Sequence, residues 1–259
     1  MAIQTSDPTL KSYLCVAWCF LRGLLRLWEA EAASARLMCA LLDFHVARPH
    51  SVDKGTGPVV RHLAQIPRSS YDAFVYVTNL SHLVYATTLL DTFLTDTTLF
   101  LFLLIPQSIG KNKQVPLQTL IEASSRNQAI TQAAIARTRE IGYLPFTGRI
   151  QFLRDTFGLE IAICAEIAEA IVHFPSVRNT TVHDQGIFTM RLSDDSQVIC
   201  SQKACPRHPT PVSVDDLHMA IKAYEGVAHA IARSVFTQVL KQQEHPAVQD
   251  LLHGFGGHP

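Results

Sequence analysis

No sign of charge prevails in this chain: 22 lysines and arginines stand against 22 aspartates and glutamates over 259 residues. Proteins that hold nucleic acid over a broad, non-specific surface carry a basic bias. The balance counts against that class and leaves room only for a local basic cleft. Glycine (12) and proline (13) stay at ordinary levels, which argues against extensive disorder. No solenoid repeat and no long low-complexity segment occurs. Residues 97–105 are very apolar, but Asp91 and Asp96 precede them and Pro106 ends them. That run is shorter than the roughly 20 residues a bilayer span needs. Residues 12–21 look faintly like the apolar part of a signal sequence, yet Arg22 and Arg26 follow at once and the helical pattern continues. Both runs are expected to be core helices of a soluble, cytoplasmic protein without membrane association. Cys200, Cys205 and His208 lie close together, but no convincing fourth ligand follows at finger spacing. They read as a loop, with zinc as the minor alternative, and no metal or other cofactor is expected. Cys15, Cys19, Cys39 and Cys164 fall in apolar helical runs, where a buried free thiol is the common case.

What the chain does have is core material: 47% of its residues are hydrophobic and 17% charged. Leu14, Trp18, Leu21, Leu25 and Trp28 are spaced by fours and threes, so residues 11–45 predict one long amphipathic helix, with Gly23 as a possible kink. Residues 48–70 carry Pro49, Gly55, Gly57, Pro58 and Pro67 and read as a linker. Residues 70–104 predict a helix that is apolar nearly all round and therefore central. Asp91 and Asp96 within it need partners, either across a helix–helix contact or as carboxylates orienting a site. Helices are also expected from Pro116 to about Ile141, over 149–157 up to Gly158, over 159–174 up to Pro175, and from Ser213 to about Gln242. Alternation in Phe188, Met190 and Leu192 predicts a small β-hairpin over 187–200. The fold expected is all-α: a helical extension (1–48), a linker (49–68), a helical bundle (69–242) and a flexible tail (243–259).

The chemistry is concentrated in Arg178-Asn179-Thr180-Thr181-Val182-His183. Arginine offers a permanent charge and a fork of donors that fits phosphate. Histidine exchanges a proton near neutrality. The two suffice for cleaving a phosphodiester without a metal. On a regular helix Asn179 and His183, four apart, share a face, whereas Arg178 and His183, five apart, diverge. They converge only if the segment bends, for which Pro175 is placed, or if a second chain completes the site. The plainer alternative is that Arg178 and Asn179 cap a helix and His183 is structural. His173 is a spare titratable group beside the proline, with a structural role the more ordinary reading.

This stretch resembles the signature of the HEPN superfamily, an arginine, often a following asparagine, and a histidine a few positions on. The approach through Phe152-Leu153-Arg154-Asp155-Thr156-Phe157-Gly158-Leu159, and Gly186 with a hairpin and closing helix afterwards, is similar to the family's order, over roughly residues 71–240. The resemblance implies a helical bundle paired as a homodimer with two motifs facing one cleft. It also implies a metal-independent endoribonuclease of toxin or defence type, with RNA as substrate and an antitoxin or regulator protein as a further partner. Catalytic roles carry over to Arg178, Asn179 and His183: phosphate stabilisation, positioning, and general acid or base. Members without catalysis imply the other reading, an interaction module that binds a protein or a nucleotide.

Overall fold

In a computed structural model, residues 7–47, 68–110, 123–183 and 212–255 are described. They form helices α1 (Pro8–Ala47), α2 (Arg68–Leu104), α3 (Arg126–Gly142), α4 (Phe146–Phe157), α5 (Ala165–His183), α6 (Val214–Ser234) and α7 (Pro246–Gly254). A 3₁₀ turn at Pro106–Ser108 follows α2, and one π turn, Val235–Val239, follows α6. No strand occurs among the described residues, so the architecture they show is helical. The hairpin expected at 187–200, the Cys200–Cys205–His208 group, the helix start at Pro116, and the linker as far as residue 67 lie outside them.

The chain divides into two compact units. The first comprises Met1–Leu24, Ala86–Ser176 and Met219–Pro259; the second comprises Leu25–Tyr85 and Val177–His218.

In the first unit α1 starts where the Asp7 carboxylate accepts the backbone N–H groups of Thr9 (2.8 Å) and Leu10 (3.3 Å), satisfying donors that have no partner within the helix. It buries Leu10, Tyr13, Leu14, Ala17, Phe20, Leu21 and Leu24, a stripe at helical spacing. Leu14 and Leu21 of the expected stripe are buried, while Trp18 is only half covered. Tyr13 stacks on Phe100 at 4.9 Å and meets Phe236 edge-on at 5.1 Å. Each such fully buried large side chain contributes about 1.5–3 kcal/mol. Cys15 and Cys19 occupy the other face of α1, and they, Cys39 and Cys164 are exposed, correcting the expectation of buried thiols. An apolar run along the chain is not an apolar face; only positions turned inward are covered. Gly23 is buried inside the continuous α1, and a Cβ there would come within 2.7 Å of the Leu89 side chain. It admits a close approach of α2.

One segment of α2, Phe74–Leu104, is long and apolar enough to cross a membrane by length and composition. Leu90, Phe93, Leu94, Leu101 and Phe102 are buried in the protein. Asp91 meets Arg149 of α4, a guanidinium with a 2% exposed side chain. Arg149 donates to the Asp91 carboxylate, to the Asp91 carbonyl (3.0 Å) and to the Thr95 hydroxyl (2.7 Å). Of the two roles open to Asp91, the helix–helix contact is the one observed.

Helix α3 starts at Arg126, and Ala123, Ser124 and Ser125 before it, within the stretch expected as helix, are not helical. Ser125 caps it, accepting the Gln128 N–H at 3.2 Å, while Gln128 Oε1 accepts the Ser124 N–H at 2.6 Å. Helix α4 ends at Gly158, whose φ of +69° is the left-handed conformation that glycine adopts without a Cβ penalty. Residues 158–164 are non-helical, although a helix is expected from 159. The reason lies across the unit. The Glu160 N–H donates to Gln238 Oε1 (2.9 Å) and its carbonyl accepts from the Ser234 hydroxyl (2.8 Å). Arg154 donates to the Ile161 carbonyl. These partners replace the hydrogen bonds a helix would supply. The π turn after Ser234 adds a residue to the helical turn on the stretch that bears Gln238.

Helix α6 starts at Ser213, as expected, through reciprocal bonds: Asp216 N–H to Ser213 Oγ at 3.0 Å and Ser213 N–H to Asp216 Oδ2 at 2.9 Å. It ends at Ser234, and the π turn carries the helical stretch to Val239, short of the expected end near Gln242. The segment expected to fray instead forms α7, opened by Pro246 and the His245 ring nitrogen, which accepts the Ala247 N–H at 3.2 Å. Val248, Leu251 and Phe255 are its buried anchors.

In the second unit Leu27, Leu83, Val177, Val212 and Leu217 are buried. Asn79, 5% exposed, donates to the Val212 carbonyl at 3.1 Å, a bond that pins the entry to α6 against α2.

Candidate functional site

Arg178, Asn179 and His183 all lie on α5. The expected break at Pro175 does not occur; the helix runs through the proline to His183. Proline removes one N–H from the ladder and crowds the preceding turn. Buried Phe174 (2% exposed) and Val177 (3% exposed) hold the backbone on either side. The division between the two units falls immediately after, between Ser176 and Val177.

The continuity of α5 decides the geometry. At about 100° per residue, positions 178 and 183 point roughly 140° apart, whereas 179 and 183 differ by about 40°. Within one chain, positions 178 and 183 therefore fall on different sides of the helix. Arg178 is half-buried, Asn179 is exposed, and the His183 side chain lies outside the described residues. Arg178 Nη1 donates to Asn179 Oδ1 at 2.9 Å, while its Nε is buried without a partner. The guanidinium is thus only partly satisfied; the buried Nε is closed off, and only the Nη groups not used by Asn179 are left for an anion.

The helix approaches this pair from an acidic start. Glu166 in its first turn is held below the usual carboxylate range by a backbone N–H and by the Cys164 thiol. His173 is exposed, with its ring against Phe174 at 5.0 Å. Asp91, the candidate orienting carboxylate, is engaged with Arg149. Partial burial raises the Asp96 carboxyl above its ordinary value. Arg126 and Asn127, which repeat the key dipeptide, are exposed at the start of α3. Arg137 on the same helix pairs with Glu140 at 2.5 Å.

Sequence reasoning passed over two groups. Glu225 is 7% exposed and its Oε1 has no partner; burial pushes its carboxyl up to about 7, with Lys222 opposing. Glu31 of α1 and His218 of α6 approach to 3.5 Å, and the same carboxylate raises the pKa of His82 on α2 against burial, which lowers it. Glu225 carries a weak sequence signal, a carboxylate amid the inward positions Ala220, Tyr224 and Val227. The second group carries none, since its members are 51 or more positions apart. No group of three metal-ligating side chains occurs among the described residues.

No family model, curated protein or solved structure matches the chain.

Proposed function

We propose that the chain is a metal-independent endoribonuclease of HEPN type that acts as a homodimer, its α5 helices each supplying Arg178, Asn179 and His183. The observation that carries this reading is the partly satisfied Arg178 guanidinium, tied to Asn179, on the helix that ends at His183. One imidazole takes the proton from a ribose 2′-hydroxyl, the oxygen attacks the adjacent phosphorus, and the 5′-oxygen leaves with a proton from a second imidazole. Arg178 neutralises charge building on the phosphate oxygens. The products are a 2′,3′-cyclic phosphate and a 5′-hydroxyl. The nucleophile belongs to the RNA, so DNA resists. The divergence of positions 178 and 183 on one helix is what calls for the second chain, and a two-fold pair is the commonest way to supply it. A toxin or defence role, a cytoplasmic location and a neutralising protein partner belong to the same proposal.

Purified protein treated with EDTA is to be incubated with RNA and with the same sequence as DNA. Cyclic-phosphate ends on RNA alone, lost in Arg178→Ala and in His183→Ala, support the reading; intact RNA across the pH range overturns it. The second reading, a non-catalytic module, is favoured by the Asn179 contact, which already occupies one arm of Arg178. Intact RNA together with a stoichiometric protein partner selects it.

A further inference from the structure

Lys11, Cys15, Cys19 and Arg22 are all exposed on the part of α1 that belongs to the first unit. Measured from position 11 at about 100° per residue, position 22 falls at about 20°, position 15 at about 40° and position 19 at about 80°. The four therefore share one face. Both cysteines are free thiols, one helical turn apart, with Lys11 four positions before the first and Arg22 three after the second. No aspartate or glutamate occurs in residues 8–28, and neither cation has an ion pair among the described residues. In a chain without net charge, this is a local positive patch around two soft nucleophiles.

The other side of the helix fixes the spacing of the thiols, because Tyr13, Leu14, Ala17, Phe20 and Leu21 are buried there. Cβ atoms four positions apart on a helix lie about 5–6 Å from each other, whereas a disulfide needs about 3.5–4.5 Å. The two thiols cannot bridge without unwinding a turn that the core holds. A group attached to one is therefore not displaced by the other. The remaining described cysteines, both exposed, stand differently. The Cys164 thiol donates to the Glu166 carboxylate, and Cys39 has Arg36 three positions before it but Asp43 four after it.

We propose that Cys15 and Cys19 form a site of reversible S-glutathionylation, with Lys11 and Arg22 recognising the carboxylates of the incoming glutathione disulfide. Each half of that molecule carries two carboxylates and one ammonium group, so it complements the patch. A second copy of the chain placed on this face would set the same cations against each other. In the reaction a cysteine thiolate attacks one sulfur of glutathione disulfide. The protein–glutathione S–S bond forms as the glutathione S–S bond breaks; the cysteine is oxidised and one glutathione leaves reduced, taking up the proton the thiol gave to solvent. Excess reduced glutathione runs the exchange backwards. The site stands independently of the nuclease reading.

The test incubates the full chain with glutathione disulfide and maps the adducts by mass spectrometry over time. Cys15 and Cys19 are expected to carry glutathione before Cys39 and Cys164 do, and to lose it to excess reduced glutathione. The same reaction with uncharged hydroxyethyl disulfide separates recognition of charge from mere exposure. Lys11→Gln/Arg22→Gln is expected to slow the glutathione reaction at these two thiols about fivefold at low salt and to leave the hydroxyethyl reaction unchanged. Earlier labelling of Cys39 or Cys164, an equal effect on both reagents, or a Cys15–Cys19 bridge without glutathione overturns the proposal. Should the double variant not fold, added salt on the unaltered chain replaces it. Salt that slows the glutathione reaction alone supports the site, and an equal response of the two reagents refutes it.

Discussion

Removing either partner of the Asp91–Arg149 pair breaks one ion pair, yet the two losses are unequal. Arg149 has a 2% exposed side chain and Asp91 a 54% exposed one. Asp91→Ala leaves a guanidinium in the interior with its Nε already unpartnered and only the residue-91 carbonyl and Thr95 Oγ1 as acceptors. An uncompensated buried charge costs about 3–5 kcal/mol; the two surviving acceptors place Asp91→Ala at the lower end, about 3 kcal/mol. Arg149→Met removes the charge itself, keeps most of the apolar stem, and returns Asp91 to water. What is lost is the pair's net contribution and some packing, about 1 kcal/mol. Thr95→Val removes one neutral acceptor and costs about 1 kcal/mol. Urea unfolding followed by circular dichroism, with matched slopes, measures all three. The double variant Asp91→Ala/Arg149→Met should recover most of the Asp91→Ala loss. Equal costs for the two single variants, or a larger cost for Arg149→Met, would refute the claim that burial of the guanidinium governs the energetics.

Glu225 titrates in the opposite sense to an ordinary paired carboxylate. Its folded pKa of about 7 exceeds the ordinary 4.5, so its contribution is fully present below 4.5 and is lost as pH rises through 7. Glu225→Gln should raise the urea midpoint at pH 8 and change it little at pH 4; a lower midpoint at pH 8 would contradict the assignment. Ser213→Ala removes the cap of α6 and should cost about 1 kcal/mol, with Asp216→Ala nearly equivalent because the two side chains act reciprocally. Gly158→Ala places a Cβ at φ +69° and should cost about 1–2 kcal/mol, read as an earlier thermal transition; an unchanged transition would show that the turn relaxes.

The sequence by itself determined the long helical stretches in α1 and α2, through apolar spacing that only a helix can turn to one side, and the start of α6, through a serine and an aspartate three positions apart. It also located Arg178, Asn179 and His183 and showed that one straight helix would separate the first from the last. Whether the helix continued through Pro175 was a tertiary matter. Pro175 is a local signal to stop, and packing of Phe174 and Val177 on either side overrode it. The reverse happened at residues 158–164, where a pattern fit for a helix was opened because Ser234 and Gln238, more than 70 positions away, bind both backbone groups of Glu160. Four cysteines sat in apolar runs and ended exposed, because the direction a helix faces depends on its neighbours. The Glu31–His218 approach belongs to the same class: periodicity describes one helix at a time, and only the packing of helices decides which charges share a place.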